Sequence, residues 1–176
     1  MYLTGKDVRQ KETFNLNWFF YLGEEEKTPG DKDTAGYRPV KLPHDWSLEY
    51  PFDEAARSCG SGGYVRTGTG WYKKIFRVNP DAVKSKRAVL HFEGAYMLAQ
   101  VWLNGQSLGR HVYGYTPFEW DITDLLKADG SENVVDVKVD NSAQPNSRWY
   151  SGSGITRNVW ICGMKDIHVA PYGVWI

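Results

Sequence analysis

Residues 133–140 alternate between apolar and charged side chains, and this alternation constrains the fold more than any other feature of the sequence. The valines are Val135, Val137 and Val139, and the charged residues between them are Asp136 and Lys138. Because successive side chains of a strand point to opposite faces, this period predicts a β-strand with its valines inward and its charges outward. No segment of the chain shows a sustained helical period. The core must therefore be built from packed sheets.

Further strand-like segments follow one another at roughly even spacing. They are residues 14–22, 71–78, 88–93, 97–103, 118–126 (a strand followed by a short turn), 159–161 and 166–169, whereas residues 40–46 are a short apolar segment interrupted by a proline. In 71–78 the pattern places Tyr72 on the core face and Lys73 on the opposite face. The dipeptide Asn104-Gly105 tolerates positive φ and predicts a tight hairpin. About eight to ten strands separated by turns predict an all-β fold, a jelly-roll β-sandwich in a single domain.

The charge balance excludes two classes of partner. The chain has 21 basic and 21 acidic residues, and no basic stripe stands out. We therefore expect neither nucleic acid nor an anionic membrane as a partner. No apolar run approaches the length of a transmembrane helix.

Two cysteines, Cys59 and Cys162, lie far apart, and the sequence leaves open whether they pair. No cysteine and histidine cluster has zinc-ligand spacing, so we expect no metal and no cofactor. Residues 1–13 are polar and predict a poorly ordered lead-in to a domain spanning 14–176. They contain no signal-peptide core. We therefore expect a cytoplasmic protein, or a periplasmic or secreted one whose signal peptide has been removed.

Residues 146–160 bring an arginine, a tryptophan and a tyrosine together with hydroxyls and two glycines. They lie between two strand-like segments, which predicts a loop. Planar rings and guanidinium donors suit a sugar, which presents an apolar C–H face ringed by hydroxyls. The alternative is an aromatic-rich turn that caps the β core.

Several motifs in fixed order resemble the N-terminal sugar-binding domain of glycoside hydrolase family 2, which includes β-galactosidases, β-glucuronidases and β-mannosidases. The resemblance covers residues 14–176, and its loops are most similar to β-galactosidases of Bacteroides-type bacteria. The motifs are LPHDW (42–46), GWYKK (70–74), HFEGA (91–95), VWLNGQ (101–106), LGRH (108–111), GYTPF (114–118) and Asn141 with 147–159.

The resemblance implies a galactose-binding-domain-like jelly roll at the front of a longer retaining β-glycosidase. An immunoglobulin-like domain and a (β/α)8 barrel would follow, and the substrate would be a β-linked glycoside, foremost a galactoside. Retaining hydrolysis uses two carboxylates about 5 Å apart, which the barrel supplies in this family. We therefore expect no catalytic residue in this chain and no activity from it alone. The parent's oligomeric state and cation dependence stay open.

Acidic residues of the chain itself do not suit the catalytic pair. Asp53 and Glu54 are neighbours whose side chains would diverge on a strand, and residues 24–26 form a charge run typical of a solvated loop.

Asp45 matches a position where the family often carries a carboxylate or amide facing the substrate. A carboxylate can accept hydrogen bonds from two neighbouring hydroxyls, so the residue type suits sugar binding. The alternative is that Asp45 caps a turn.

Four residues of the 146–160 loop complete the predicted substrate-binding set. Arg148 offers a fork of donors and Tyr150 a ring with a hydroxyl, whereas Arg148 could instead pair with Asp140. Trp149 could stack on a pyranose or pack in the core, and Ser147 is a weaker candidate. We expect His44 and His111 to be structural.

Three functions remain open from the sequence. The first is a non-catalytic domain that lends loops to the sugar pocket of a β-glycosidase and braces its barrel. The second is an independent carbohydrate-binding module, and the third is a purely structural docking domain. The glycine-rich segment 57–70 is the candidate for an element that orders against a barrel.

Overall fold

A computed structural model describes residues 1–3, 9–83, 87–147, 149–169 and 173–174. Three short 3-10 turns, Trp46–Glu49, Gly60–Gly62 and Thr123–Leu125, and one helical turn, α1 (Pro80–Val83), lie between the strands of this part of the chain. The strands are β1 (Arg9–Thr13), β2 (Trp18–Leu22), β3 (Arg38–Val40), β4 (Gly68–Phe76), β5 (Arg87–Phe92), β6 (Ala99–Leu103), β7 (Gln106–His111), β8 (Phe118–Asp121), β9 (Asn133–Asn141) and β10 (Val159–Met164).

The strands form two antiparallel sheets. One has four strands in the order β1-β10-β5-β8, and the other has six in the order β3-β2-β4-β9-β6-β7. Between them lies a single apolar cluster, in which each fully buried large side chain contributes about 1.5–3 kcal/mol. Its members include Phe20, Tyr72, Leu90, Phe92, Val101, Val137 and Ile161. The structure confirms the predicted all-β jelly-roll sandwich.

Two local predictions are confirmed in detail. The valines of β9 are fully buried and face the core, and Val137 pairs with Tyr72 of β4. Asn104 and Gly105 have φ of 51° and 84° and connect β6 to β7, with Leu103 opposite Gln106. Both conformations lie in the left-handed region that a tight hairpin turn requires.

Three segment predictions are wrong in part. Within residues 1–13, Arg9–Thr13 is strand β1, which pairs with β10, and Leu3 is fully buried. The strand predicted over 14–22 starts only at Trp18. Residues 166–169 form no strand, because the pairing of β10 with its neighbours ends at Met164.

The outer face of the six-stranded sheet is covered by residues 23–37 rather than by solvent. Lys73 and Asp136 point to this face as predicted, but they are 2% and 1% exposed. The Lys73 Nζ lies 3.3 Å from Asp136 Oδ1, and it also donates to the Asp31 carbonyl. The Gly30 N–H donates to Asp136 Oδ2 at 2.7 Å. The predicted outward charges are therefore buried, because the covering segment supplies their partners.

Candidate functional site

Loops from three parts of the chain enclose a cleft of about 570 Å³. Side chains at its rim are unusually exposed for their apolar character: Leu48 is 80% and Phe52 is 81% exposed. The lining residues are Asp45, Ser47, Leu48, Phe52, Gly60, Gly63, Tyr64, Val65, Tyr150, Ser151 and Gly152. The cleft is therefore apolar and aromatic, with one carboxylate in its wall.

One oxygen of Asp45 is used to build the cleft. Asp45 Oδ1 accepts hydrogen bonds from the Ser47 N–H at 2.9 Å, the Ser47 hydroxyl at 2.5 Å and the Ser153 N–H at 2.8 Å. The first of these caps the 3-10 turn Trp46–Glu49. The turn-capping alternative therefore holds for this oxygen, which also ties the 153 region to the turn.

The second oxygen of Asp45 has no such partner. No residue that the structure describes donates a hydrogen bond to Oδ2, which lies against Gly152. A Cβ at residue 152 would lie 2.3 Å from Oδ2, so only glycine leaves this oxygen room. Because an ionised carboxylate oxygen can accept two hydrogen bonds, Oδ2 can receive a ligand hydroxyl.

His44 and Tyr72 form a hydrogen-bonded chain behind Asp45. His44 Nδ1 lies 2.7 Å from the Tyr72 hydroxyl, and its Nε2 lies 3.0 Å from Glu49 Oε1. Burial lowers the pKa of His44, partly opposed by the hydrogen bond and charge of Glu49. The neutral imidazole then accepts from Tyr72 and donates to Glu49, which agrees with the predicted structural role.

Hydrogen bonds of Tyr72 and His44 also hold the loop 146–160 against the turn that carries Asp45. The Ile155 N–H donates to the Tyr72 hydroxyl at 3.4 Å, and the His44 N–H donates to the Ile155 carbonyl at 2.8 Å. Gly154 has φ of 130°, and a Cβ there would lie 2.4 Å from the Tyr72 hydroxyl oxygen. Glycine is therefore needed for the loop to approach this closely.

The predicted substrate-binding residues separate into two places. Asp45 and Tyr150 both line the cleft, and the Tyr150 ring lies over Gly63. Trp149 is 59% exposed, which rules out the core-packing alternative. Trp149 and Ser147 are not among the lining residues, and the Ser147 hydroxyl donates to the Trp149 carbonyl at 2.7 Å. Arg148 lies outside the described residues, so its pairing with Asp140 stays untested.

Sequence reasoning missed the apolar rim. Leu48, Phe52 and Tyr64 lie in segments without strand or helix periodicity, where an apolar side chain has no core to enter. Only a contiguous exposed apolar patch indicates a binding surface, and that these residues form one is visible only in the folded structure.

Three further sets of residues are not part of the cleft lining. The side chain of Asn158 donates to Glu93 Oε2 at 2.9 Å and accepts from Asn15 at 2.8 Å. His111 stacks on Phe118 with ring centroids 4.3 Å apart, as a structural residue would. Both cysteines are free, with Cys59 exposed and Cys162 buried.

Two kinds of feature, metal-ligand clusters and membrane-spanning helices, are absent from the residues that the structure describes. There, no three His, Cys, Asp or Glu side chains converge as metal ligands would. The same ranges contain no helix with the length and apolar character needed to cross a bilayer.

The fold and the cleft together define a jelly-roll β-domain with a candidate small-molecule site between its loops. Comparison with protein families identifies the kind of domain: residues 41–167 match the family model described as glycosyl hydrolases family 2, sugar binding domain. The chain belongs to this family.

Individual relatives support the same assignment. The chain is 44% identical to beta-galactosidase BoGH2A of Bacteroides ovatus over 96% of its own length and 20% of that protein. A beta-glycosidase from Bacteroides vulgatus superposes with a TM-score of 0.86 at 34% identity, over 93% of this chain and 21% of that one. For a beta-glucuronidase of Bacteroides uniformis the TM-score is 0.77 at 29% identity, over 94% and 19%. The chain thus spans about a fifth of the length of these relatives.

Proposed function

We propose that the chain is the non-catalytic N-terminal domain of a longer retaining β-glycosidase and forms one wall of its sugar pocket. The observation that carries this proposal is Asp45 Oδ2, an acceptor without a described partner in an aromatic cleft. In that position it would accept a hydroxyl of the terminal sugar while Tyr150 covers an apolar face. The catalytic carboxylate pair would lie in another domain.

The substrate of the parent enzyme would be a β-linked glycoside, with a galactoside as the first choice. The support is the 44% identity to a Bacteroides ovatus beta-galactosidase over nearly the whole chain. Relatives with lower identity include beta-glucuronidases, so a glucuronide is the main competing substrate.

Kinetics of the parent enzyme test this role of Asp45. Asp45→Asn keeps the Oδ1 acceptor and replaces Oδ2 by an amide NH2 group, which cannot accept a hydrogen bond. Loss of one charged hydrogen bond should lower kcat/KM about ten- to a hundredfold.

Asp140→Asn is the matched control, because Asp140 Oδ1 accepts from the Ser142 N–H and hydroxyl at 2.9 and 2.6 Å, as Asp45 does from Ser47. Asp140 is not part of the cleft lining. If both variants hydrolyse the substrate at the unmodified rate, Asp45 does not contact the sugar.

A second proposed role is to pack against the catalytic barrel, and the exposed apolar residues at the rim of the cleft support it. Leu48 and Phe52 expose most of their apolar surface, and neither has a polar atom that a sugar could use. In the parent enzyme we expect them to be buried against the neighbouring domain. An independent carbohydrate-binding module remains the alternative, and it would be favoured by tight binding of free galactose to the isolated chain.

A further inference from the structure

The last residue of β9, Asn141, is a buried asparagine outside the cleft lining, and its side chain is 1% exposed. Its Oδ1 accepts hydrogen bonds from Gln144 Nε2 at 2.8 Å and from Asn146 Nδ2 at 2.6 Å. Its Nδ2 donates to the Ser153 hydroxyl at 2.8 Å. One side-chain amide therefore connects both ends of the segment 144–153.

The Ser153 end of this segment reaches Asp45. Ser153 is fully buried, and its N–H donates to Asp45 Oδ1 at 2.8 Å. Asn141 is thus linked to the carboxylate of the cleft through two hydrogen bonds, one on each side of Ser153. Residues 150–152, which immediately precede Ser153, line the cleft. The position of this wall relative to Asp45 therefore depends on where Asn141 holds Ser153.

The same segment also contacts the glycine-rich turn on the other side of the cleft. A Cβ at Gly62 would lie 3.8 Å from Gln144 Oε1, and one at Gly63 would lie 2.9 Å from the Tyr150 ring. The amide of Asn141 therefore lies where all three parts of the chain that enclose the cleft are connected.

We propose that Asn141 is a positioning residue for the sugar pocket, because its amide fixes the wall formed by residues 150–152 relative to the Asp45 carboxylate. An amide suits this place, since its oxygen accepts two hydrogen bonds while its nitrogen donates to a hydroxyl. The proposal rests on the proposed function and extends it, because it gives a residue outside the cleft lining a share in the reaction of the parent enzyme.

Truncation of Asn141 should move the segment 144–153 without detaching the loop. Asn141→Ala leaves the buried Ser153 hydroxyl without this donor, so the segment should shift toward other partners. Gly154 is held separately, because it exchanges two backbone hydrogen bonds of 2.9 and 3.0 Å with Tyr96.

The matched control is Asn133, the first residue of the same strand, which is 0% exposed. Its Oδ1 accepts from the Lys127 N–H at 2.8 Å and from Asn104 Nδ2 at 2.9 Å, and its Nδ2 donates to the Lys127 carbonyl at 3.1 Å. The two asparagines lie about 27 Å apart along β9. Asn133→Ala should therefore destabilise the fold much as Asn141→Ala does, while leaving the cleft unchanged.

Kinetics of the parent enzyme test the proposal, with p-nitrophenyl β-galactoside or p-nitrophenyl β-glucuronide as the substrate, whichever is hydrolysed faster. Asn141→Ala should lower kcat/KM about tenfold, because a small misplacement of a binding group is costly, and Asn133→Ala less than about twofold. Asn141→Asp should retain most of kcat/KM, because it keeps the acceptor for Gln144 and Asn146 and lets the Ser153 hydroxyl donate.

Two further measurements separate positioning from a general loss of stability. In an Asp45→Asn background, Asn141→Ala should lower kcat/KM about threefold or less, because most of its effect passes through Asp45. Hydrogen exchange of the amides of residues 150–155, followed by mass spectrometry, should be faster in Asn141→Ala than in Asn133→Ala.

The outcomes also distinguish this proposal from the proposed function. The positioning role is overturned if Asn133→Ala lowers kcat/KM as much as Asn141→Ala does, or if the losses from Asn141→Ala and Asp45→Asn simply multiply. If Asp45→Asn lowers kcat/KM while Asn141→Ala changes neither kinetics nor exchange, the pocket stands and the role of Asn141 fails. If Asn141→Ala speeds exchange while neither variant changes kcat/KM, Asn141 positions the segment but the proposed sugar contact of Asp45 fails.

Discussion

The two carboxylate oxygens of Asp45 differ in their hydrogen bonds, because among the described residues only Oδ1 has donors, and one of these donors lies far along the chain. Oδ1 is held by Ser47, two residues away, and by the Ser153 N–H, 108 residues away. The sequence suggested both turn capping and sugar contact for this side chain. It could not show that the capping hydrogen bonds use only Oδ1, because this depends on the folded position of residues 152 and 153.

Lys74 is a buried charge on the inner face of β4. It lies two residues after the core residue Tyr72 on the same strand, so both side chains share the inner face. Its ammonium group lies 4.4 Å from the Phe14 ring centroid and 5.1 Å from that of Tyr2, and donates to the Leu16 carbonyl. Burial lowers the pKa of Lys74 from 10.5 to about 8.

This shift predicts a stability that rises with pH. Between about pH 8 and 10.5 the unfolded chain holds the Lys74 proton while the folded chain has released it. The unfolded state then binds more protons, so this residue raises the free energy of unfolding by up to about 1.4 kcal/mol per pH unit. Lys74→Met removes the buried charge, so its free energy of unfolding should exceed that of the unmodified chain at pH 8. Urea unfolding across this range should show the difference decreasing as pH increases.

Lys41→Met is the matched control for the pH series, because Lys41 is exposed. Its stability difference from the unmodified chain should stay constant with pH. Comparing variants at each pH also cancels the titration of Tyr37 and Tyr72, whose pKa values burial raises. A pH-independent difference for Lys74→Met would show that Lys74 titrates normally.

At the scale of elements, the sequence predicted most strands but not what covers them. The period of two in β9 placed the side chains of Asp136 and Lys138 correctly on the outer face. The charge run 24–26 indicated a solvated loop, yet residues 23–37 pack on that face through Gly30 and the Asp31 carbonyl. Local patterns report which face a side chain occupies, whereas burial of that face depends on a partner distant in sequence.

The buried ion pair of Lys73 and Asp136 should therefore hold residues 23–37 on the outer face of the sheet. Removing one partner leaves the other charge buried, so Asp136→Ala should lower the free energy of unfolding by about 3–5 kcal/mol. Replacing both residues by apolar ones, Lys73→Met with Asp136→Leu, should recover much of the loss. Urea unfolding of the single and double variants measures this coupling.

The exposed pair of Arg87 and Asp121 is the control for the buried one. Its side chains are 51% and 40% exposed at a separation of 2.9 Å. Arg87→Ala should therefore cost less than about 1 kcal/mol. If Asp136→Ala and Arg87→Ala lowered the free energy of unfolding equally, burial would not determine how much the Lys73–Asp136 contact stabilises the fold.

At the scale of the whole molecule, the order of motifs from LPHDW to the 147–159 loop was enough to predict both the family and the fold. The site was predicted less completely. Asp45 and Tyr150 meet in one cleft, but the exposed Leu48 and Phe52 at its rim follow no pattern that a single strand or helix would impose. We propose that another domain of the parent enzyme covers them, since the chain spans about a fifth of the length of its relatives.

The most direct test of the account is a structure of the parent enzyme with a galactose-derived inhibitor bound at its catalytic centre. We predict a sugar hydroxyl within about 2.5–3.2 Å of Asp45 Oδ2, with Leu48 and Phe52 buried against the neighbouring domain. A bound sugar that lies beyond hydrogen-bond reach of Asp45, with the cleft filled by protein, would contradict the claim that this chain forms part of the sugar pocket.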